Sequence, residues 1–369
     1  MEDAKALSID AFALNFNQLA DWSQRTVDYL FNSADTYQFK LFFSFDMAQG
    51  YFTDPHQYAH YLSQYMSRDA YFKIGKIILI LGLHNTAPYP SLFDRYPSLD
   101  GVFNWDSWPK VDQGKKVVST DEDKVYQKAT RKRGKLFMMG LSPLQFKHIN
   151  DRDNWYRLGE GNLENRLGQV LDLQPDLLEI QSWNDAGEGH YMGNSWIEPI
   201  CDAKEICAYT QEYDHRGYWQ VLPSFIQAWK RGDRTTANMF PTTPGMAAQG
   251  VFWHHTLLIN GNCAPDIFGL RKPEGVENAE DSVTGIVLVA PDEKGLTAVV
   301  TSGAKRLGTA SLKPGYNKFS FGGMTTGTVM IEVLKRKRKI ISGSGPIQVA
   351  DSAELHNYNY QVVGLQHCD

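Results

Sequence analysis

The chain has no apolar run near the roughly eighteen residues that a membrane-spanning helix needs, so no membrane partner is expected. Its longest apolar stretch, residues 77–83, is strand-sized. The N-terminus, Met1-Glu2-Asp3-Ala4-Lys5, is polar and lacks an apolar core, which reads as a chain without a signal peptide. Cysteine is scarce: Cys201, Cys207, Cys263 and Cys368 are too few for a disulfide scaffold. Cys201 and Cys207 either close one short loop or stay free thiols. No Cys-x-x-Cys pair or His-Glu-x-x-His run suggests zinc, and no Gly-x-Gly-x-x-Gly turn suggests a dinucleotide, so neither a metal nor an organic cofactor is expected. Gly-x-Ser-x-Gly is missing from any strand–turn–helix context; Gly343-Ser344-Gly345 falls in a β-rich stretch, which argues against a serine hydrolase. There is no basic excess either. Lys and Arg number 37 against 42 Asp and Glu, a net −5, and a duplex nucleic-acid binder needs the opposite sign.

What the chain does have is rings. Aromatic residues make up 12% of its 369 residues, as 9 Trp, 18 Tyr and 19 Phe, enough for a large core, a sugar-stacking cleft, or both. Strand-like runs at 12–16, 41–46, 77–83, 101–105, 136–141 and 177–180 alternate with helical spacing at 19–33, 55–67, 163–171 and 217–230. That alternation predicts a parallel sheet covered by helices, read here as a (β/α)8 TIM-type barrel that is incomplete, with six strands visible before residue 190. Beyond about residue 265 the pattern becomes short strands at 286–290, 297–301, 318–321 and 329–333, separated by turns such as Pro314-Gly315-Tyr316-Asn317. The expected domains are therefore a barrel over 1–265 and a β-sandwich over 266–369. The basic run Lys335-Arg336-Lys337-Arg338-Lys339 reads as a solvated hairpin turn.

Polar and aromatic residues gather where the parallel strands should end: Asn15, Asp46, His84, Trp105-Asp106, Ser142 and Trp183-Asn184-Asp185. In a barrel of this kind that face carries the active site. The densest stretch is Gln181-Ser182-Trp183-Asn184-Asp185-Ala186-Gly187-Glu188-Gly189-His190-Tyr191. Asp185 and Glu188 stand three residues apart, and a bend between them is expected to set their carboxyl groups roughly 6.5–9.5 Å apart, the separation used in inverting glycoside hydrolysis. A loop-capping Asx-turn is the structural alternative. Asp46 is either a helix cap or a third site carboxylate, and Trp105 and Trp108 either a sugar platform or loop packing. Ser142-Pro143 with Trp155 and Tyr156 reads as a further aromatic loop.

These stretches, with 9–15, 39–47, 100–109, 215–230 and Tyr358-Asn359-Tyr360, resemble glycoside hydrolase family 71, the fungal α-1,3-glucanases or mutanases. The resemblance implies a (β/α)8 barrel with an appended β-sandwich, an inverting enzyme, and α-1,3-glucan as the polymer it meets. By that similarity Glu188 matches the general acid, Asp185 the base and Asp46 a third acidic position. Trp183, Asn184, His190, Tyr191, Trp105, Asp106, Trp108 and Asn15 would hold substrate. It also implies an extracellular or cell-wall location, although a chain without a signal peptide admits a cytoplasmic one; a monomer is expected. The second reading is a relative with an incomplete barrel that binds α-glucan without cleaving it.

Overall fold

The computed structural model describes residues 1–47, 50, 52–54, 56–84 and 86–368. The chain is mixed α/β and divides into two compact units. The first comprises Met1–Leu79 and Ser98–Asp100, the second Ile80–Pro97 and Gly101–Asp369.

In the first unit, β1 (Ala11–Phe16) pairs in parallel with β2 (Lys40–Phe45), setting Asn15 opposite Ser44. A parallel pair needs a crossover, which the helix Asp21–Tyr37 supplies. It buries Ser23, Val27, Phe31 and Ala34, the spacing of a single helical face, and stops at Gln38 in the left-handed region at φ 52°. Rings fill the core: Phe31 stacks on Tyr65 at 4.6 Å, and Phe43 on Phe45 at 5.2 Å. Tyr65 comes from the helix His56–Tyr65; Pro55, where the sequence places that helix's start, lies outside the described residues. A further parallel bridge, Leu41 to Tyr71, follows the helix, and a single bridge leaves no alternating pattern to read.

In the second unit, β3 (Ile80–Leu83), β4 (Gly101–Asn104) and β5 (Leu136–Leu141) are followed by a hairpin of β6 (Gln145–His148) and β7 (Asn154–Arg157), then by β8 (Leu177–Ile180). The parallel order is β3-β4-β5-β8. With β1 and β2 this makes the six strands expected, and within neither unit do the described strands close into a ring. Residues 46, 84, 105 and 142 each directly follow a strand, as read from the sequence. Behind β4 and β5, Arg166 of the helix Leu163–Leu173 donates to Gly140 O at 3.1 Å and pairs with Asp123 of the helix Asp121–Arg131 at 2.5 Å. Asp123 also accepts from Asn104 Nδ2 at 2.9 Å, so a fully buried charge pair is hydrogen-bonded throughout.

Two segments differ from their expected form. Residues 142–157 are not an aromatic loop but the β6–β7 hairpin, turned by Asn150, whose Oδ1 accepts from the N–H groups of Arg152 and Asp153. The stretch 217–230 is not one helix: a 3-10 turn, Arg216–Gln220, breaks at Val221 before the helix Leu222–Lys230. Pro223 explains this, because its ring and missing N–H suit a first turn and disrupt an interior one.

The C-terminal strands are β9 (Ala248–His255), β10 (Leu257–Asn262), β11 (Ser282–Val289), β12 (Leu296–Ser302), β13 (Lys305–Leu312), β14 (Gly315–Gly322), β15 (Val329–Lys335), β16 (Arg338–Ser344), β17 (Ala350–Ser352), β18 (Tyr360–Gly364) and β19 (Gln366–His367). Nine of them form antiparallel sheets of order β14-β11-β9-β18 and β13-β12-β15-β16-β19, while β10 and β17 pair in parallel with each other. Phe252, Val283 and Val287 from one sheet and Val300, Ile331 and Val333 from the other belong to one buried cluster. The first sheet takes in β9, which lies ahead of residue 266. The basic run forms the turn of the β15–β16 hairpin. Cys201 and Cys207 are joined by a disulfide, and Cys263 and Cys368 are free. No described helix is long and apolar enough to cross a membrane.

Candidate active site

Beyond β8 the chain folds back on itself. Ser182 N donates to His190 O, Met192 N to Ser182 O and Gly193 N to Trp183 O, each at 2.8 Å. Gly193 permits that closure, since a Cβ there would lie 2.4 Å from the Trp183 ring. Within this loop Asp185 caps the short 3-10 turn Ala186–Glu188, its Oδ1 accepting from Glu188 N at 3.0 Å. The cap is the physical reason for the main departure from expectation. It curls the three-residue step, and the nearest Asp185, Glu188 and His190 ligand atoms all lie within 4.8 Å of one another.

His190 sits behind the two acids. Its Nε2 is 3.3 Å from Asp185 Oδ2 and 3.5 Å from Glu188 Oε2. Strand β6 meets them from the other side, with Lys147 Nζ 2.9 Å from Glu188 Oε1 and Gln145 Nε2 donating to Glu188 Oε2. The carboxylates remain partly open, with side chains 43% and 24% exposed, while His190 is 1% exposed. Burial by itself would raise the Asp185 carboxyl, but the His190 hydrogen bond and charge, the Glu188 N–H and Lys147 hold it below the usual carboxylate range. Burial would likewise lower the His190 imidazole, yet Asp185 and Glu188 hold it above its ordinary value. Asp185, Glu188 and His190 each offer one ligand atom to a common point, so this trio could hold a cation, with Lys147 already 2.9 Å from Glu188 Oε1.

The other expected residues separate into surface and support. Asn184 is exposed and Trp183 half-buried, stacked on Trp219 at 6.0 Å and 22°. Trp105 follows β4, half-buried, and Asp106 pairs with His84 Nδ1 at 2.9 Å. Trp108 is 3% exposed, with its N–H on Gln145 Oε1, its ring 5.7 Å from His190 and the Arg157 guanidinium 5.4 Å over it. Tyr191 is also 3% exposed, stacked 3.9 Å from His215, with its hydroxyl on Tyr213 O. Both rings meet protein instead of an open cleft, which makes them supports of the loop. Asn359 holds the same support, donating to Tyr191 OH at 3.0 Å and to Tyr209 O at 2.9 Å, while Tyr209 OH donates to Gly187 O at 2.8 Å. Asn15 in β1 and Asp46 just after β2 lie in the first unit, where Asp46 N donates to Phe16 O at 3.0 Å.

Gln145, Lys147 and Arg157 were not singled out from the sequence. The guanidinium Nε and Nη1 of Arg157 are buried with no hydrogen-bond partner among the described residues, and the charges of Asp106 and Glu188 act on it. A signal existed: Gln145 and Lys147 alternate with Phe146 and so share one face of a strand.

An aspartate and a glutamate presented together on a strand-end turn are the equipment of a glycoside hydrolase, and that is the class of this protein. Residues 1–82 and 82–368 match glycosyl hydrolase family 71, and the chain belongs to that family. It is 27% identical to a mutanase of Penicillium rubens over 98% of this chain and 83% of the relative. It is 25% identical to the glucan endo-1,3-alpha-glucosidase agn1 of Schizosaccharomyces pombe over 97% of this chain and 88% of the relative. Among solved structures, the GH99 endo-alpha-mannosidase of Bacteroides thetaiotaomicron shares 14% identity over 63% of this chain and 83% of that one, at a TM-score of 0.46, too low to bear on the fold.

Proposed function

We propose that this protein hydrolyses the α-1,3-glucosidic bonds of α-1,3-glucan. The observation that carries the reading is the Asp185–Glu188 turn, with both carboxylates partly exposed and held by His190 and Lys147. Two relatives matched along most of their length are named for this activity. Glu188 is the general acid that protonates the glycosidic oxygen, and Asp185 is the base that activates water. The depressed Asp185 carboxyl suits a base, because it is ionised when substrate arrives. Trp183, Asn184 and Trp105 contact glucosyl rings, and Asp106, with its side chain 4% exposed and paired with His84, supports them. Trp108, His190 and Tyr191 keep the loop in shape.

The wider fold reading is a (β/α)8-type barrel with fewer strands than a closed one, joined to a β-sandwich whose first strand is β9, ahead of the expected residue 266. The protein acts as a monomer, outside the cell or in the cell wall.

Inversion, the outcome implied by the family resemblance, requires a water between Asp185 and the anomeric carbon. With oxygens within 4.8 Å of each other there is little room for it. For inversion Glu188 therefore leaves His190 on binding substrate, opening the gap toward roughly 6.5–9.5 Å.

The test is incubation with insoluble α-1,3-glucan, with a β-1,3-glucan as control, reading new reducing ends and the first-formed anomer by proton NMR. Release from the α-linked polymer alone, with the β-anomer first, is expected. Binding without release overturns the hydrolase assignment to this glucan; the α-anomer first overturns inversion and makes the short spacing the working one.

A further inference from the structure

We propose that His148, Asp266 and His356 form a divalent-metal site, best matched to zinc, that fastens strand β6 to the segments 263–268 and 355–359. The three residues come from distant parts of the second unit, 118 and 90 positions apart, and converge on one carboxylate oxygen. His148 Nε2 and His356 Nδ1 each lie 3.0 Å from Asp266 Oδ2, and all three ligand atoms fall within 4.8 Å of one another. A tetrahedral zinc with bonds of about 2.0–2.1 Å separates neighbouring ligand atoms by about 3.3 Å, close to these spacings.

Hydrogen bonding leaves the cluster oversubscribed. Asp266 Oδ2 faces three nitrogens at 3.0 Å, the two rings and the backbone N–H of His356, while Oδ1 takes Phe268 N at 2.9 Å. A carboxylate oxygen offers about two lone pairs, so one ring nitrogen has no acceptor site left to it. His148 sharpens the conflict. Its Nδ1 is 2.7 Å from Asn154 Oδ1, and Asn154 Nδ2 donates to Arg271 O at 2.7 Å, which fixes the amide with its oxygen toward the ring. The proton is then on Nδ1, and a neutral His148 aims its Nε2 lone pair at the Asp266 oxygen. Something positive has to lie between them. A histidine whose second nitrogen is held by an outer amide or carboxylate is the arrangement of a metal-bound imidazole.

The neighbouring ammonium does not take that role. Lys272 Nζ donates to Ile259 O and lies 5.8 Å over the Tyr358 ring. Two imidazoles and one carboxylate select a borderline cation over calcium or magnesium, which prefer oxygen donors. His148 and Asp266 side chains are 0% and 1% exposed and His356 is 13% exposed, so the ion enters past His356, where water completes its coordination. The consequence is positional: β6 carries His148 on one face, and on the other Gln145 and Lys147, which hold Glu188.

The test uses the full chain carrying Glu188→Gln, so that the Asp185 cluster does not supply an equivalent acidic trio. The protein is stripped with chelator, checked for folding by circular dichroism and titrated with zinc sulfate by calorimetry and elemental analysis. One equivalent per chain is expected, with a rise in melting temperature. Asn154→Ala should weaken binding roughly 10- to 100-fold. His356→Gln, at the least buried ligand, should weaken it more and abolish the thermal shift while the protein stays folded. A folded, stripped chain that takes up no zinc overturns the site and assigns the charge between the rings and Asp266 to a proton. Zinc binding that survives His356→Gln unchanged overturns it too. Neither outcome touches the glucan assay.

Discussion

Two clusters built from the same residue types meet on the short strand β6, and they differ in what can reach them. On one face Lys147 and Gln145 hold the Asp185–Glu188 turn, whose carboxylates are 43% and 24% exposed. On the other face His148 meets Asp266, whose side chain is 1% exposed. Carboxylates and imidazole are present in both. The open pair can be approached by a polymer and can exchange protons with it, whereas the closed trio can only be filled by something the size of an ion. Burial, more than residue type, separates chemistry on a substrate from chemistry within the fold.

The largest expected effect lies on the open side. Asp185→Asn should lower turnover on α-1,3-glucan by roughly 10²–10⁴-fold, the span general acid–base groups contribute, and should leave zinc uptake at His148 unchanged. A variant that loses both would mean the two clusters are one unit and break the contrast. On the closed side, Asp266→Asn removes the carboxylate facing the buried His148 ring and the partly exposed His356 ring and should cost about 1–3 kcal/mol of unfolding free energy in urea, with the folded fraction still hydrolytic. Little change in stability would show that the trio is not held by its carboxylate.

His190 ties the open pair to pH. Its folded pKa is raised, so its contribution to stability is complete below the unfolded value of about 6.5 and fades as pH rises through the folded value. Asp185, held low, contributes above its unfolded value near 3.9 and loses that as pH falls through the folded one. The stability gap between the native chain and His190→Gln should therefore be widest near pH 5 and narrow toward pH 9, measured by thermal melts. A gap that widens with pH would contradict the ion-pair account. The smallest effect is at the disulfide. Cys201 and Cys207 are six positions apart, a loop short enough that replacing both with Ser should cost only about 2 kcal/mol and spare hydrolysis.

Much of this was legible in the sequence. The six parallel strands show as apolar runs, and Asp46, His84, Trp105 and Ser142 fall directly after strand ends as expected, most plainly after β4 and β5, which are buried on both faces. Asp185 and Glu188 came with the turn that carries them. What local pattern does not encode is the direction a side chain takes once the chain folds back. Tyr191 stands beside the acids in sequence and Trp108 follows the strand end at Trp105-Asp106, yet both rings are buried. The Asp185–Glu188 distance is shorter than the expected bend gives because Asp185 spends an oxygen capping Glu188 N–H. Residues 142–157 read as a loop because their two strands are only four residues each, and with that hairpin went Lys147, Arg157 and His148. The partners of His148 lie too far along the chain for any spacing rule to join them. The aromatic surplus has two uses: in the first unit Phe16, Phe31, Phe43 and Tyr65 form a core, and around the catalytic loop rings brace the turn.

The most direct test is Glu188→Gln assayed on α-1,3-glucan for both hydrolysis and pull-down. This substitution keeps the side chain's size and an oxygen to accept from Gln145, and removes the proton donor together with the charge facing Lys147. The account predicts that reducing-end release disappears while binding to the insoluble glucan stays at the native level. Hydrolysis at the native rate would contradict the assignment of Glu188 as the acid, and with it the catalytic role given to this turn.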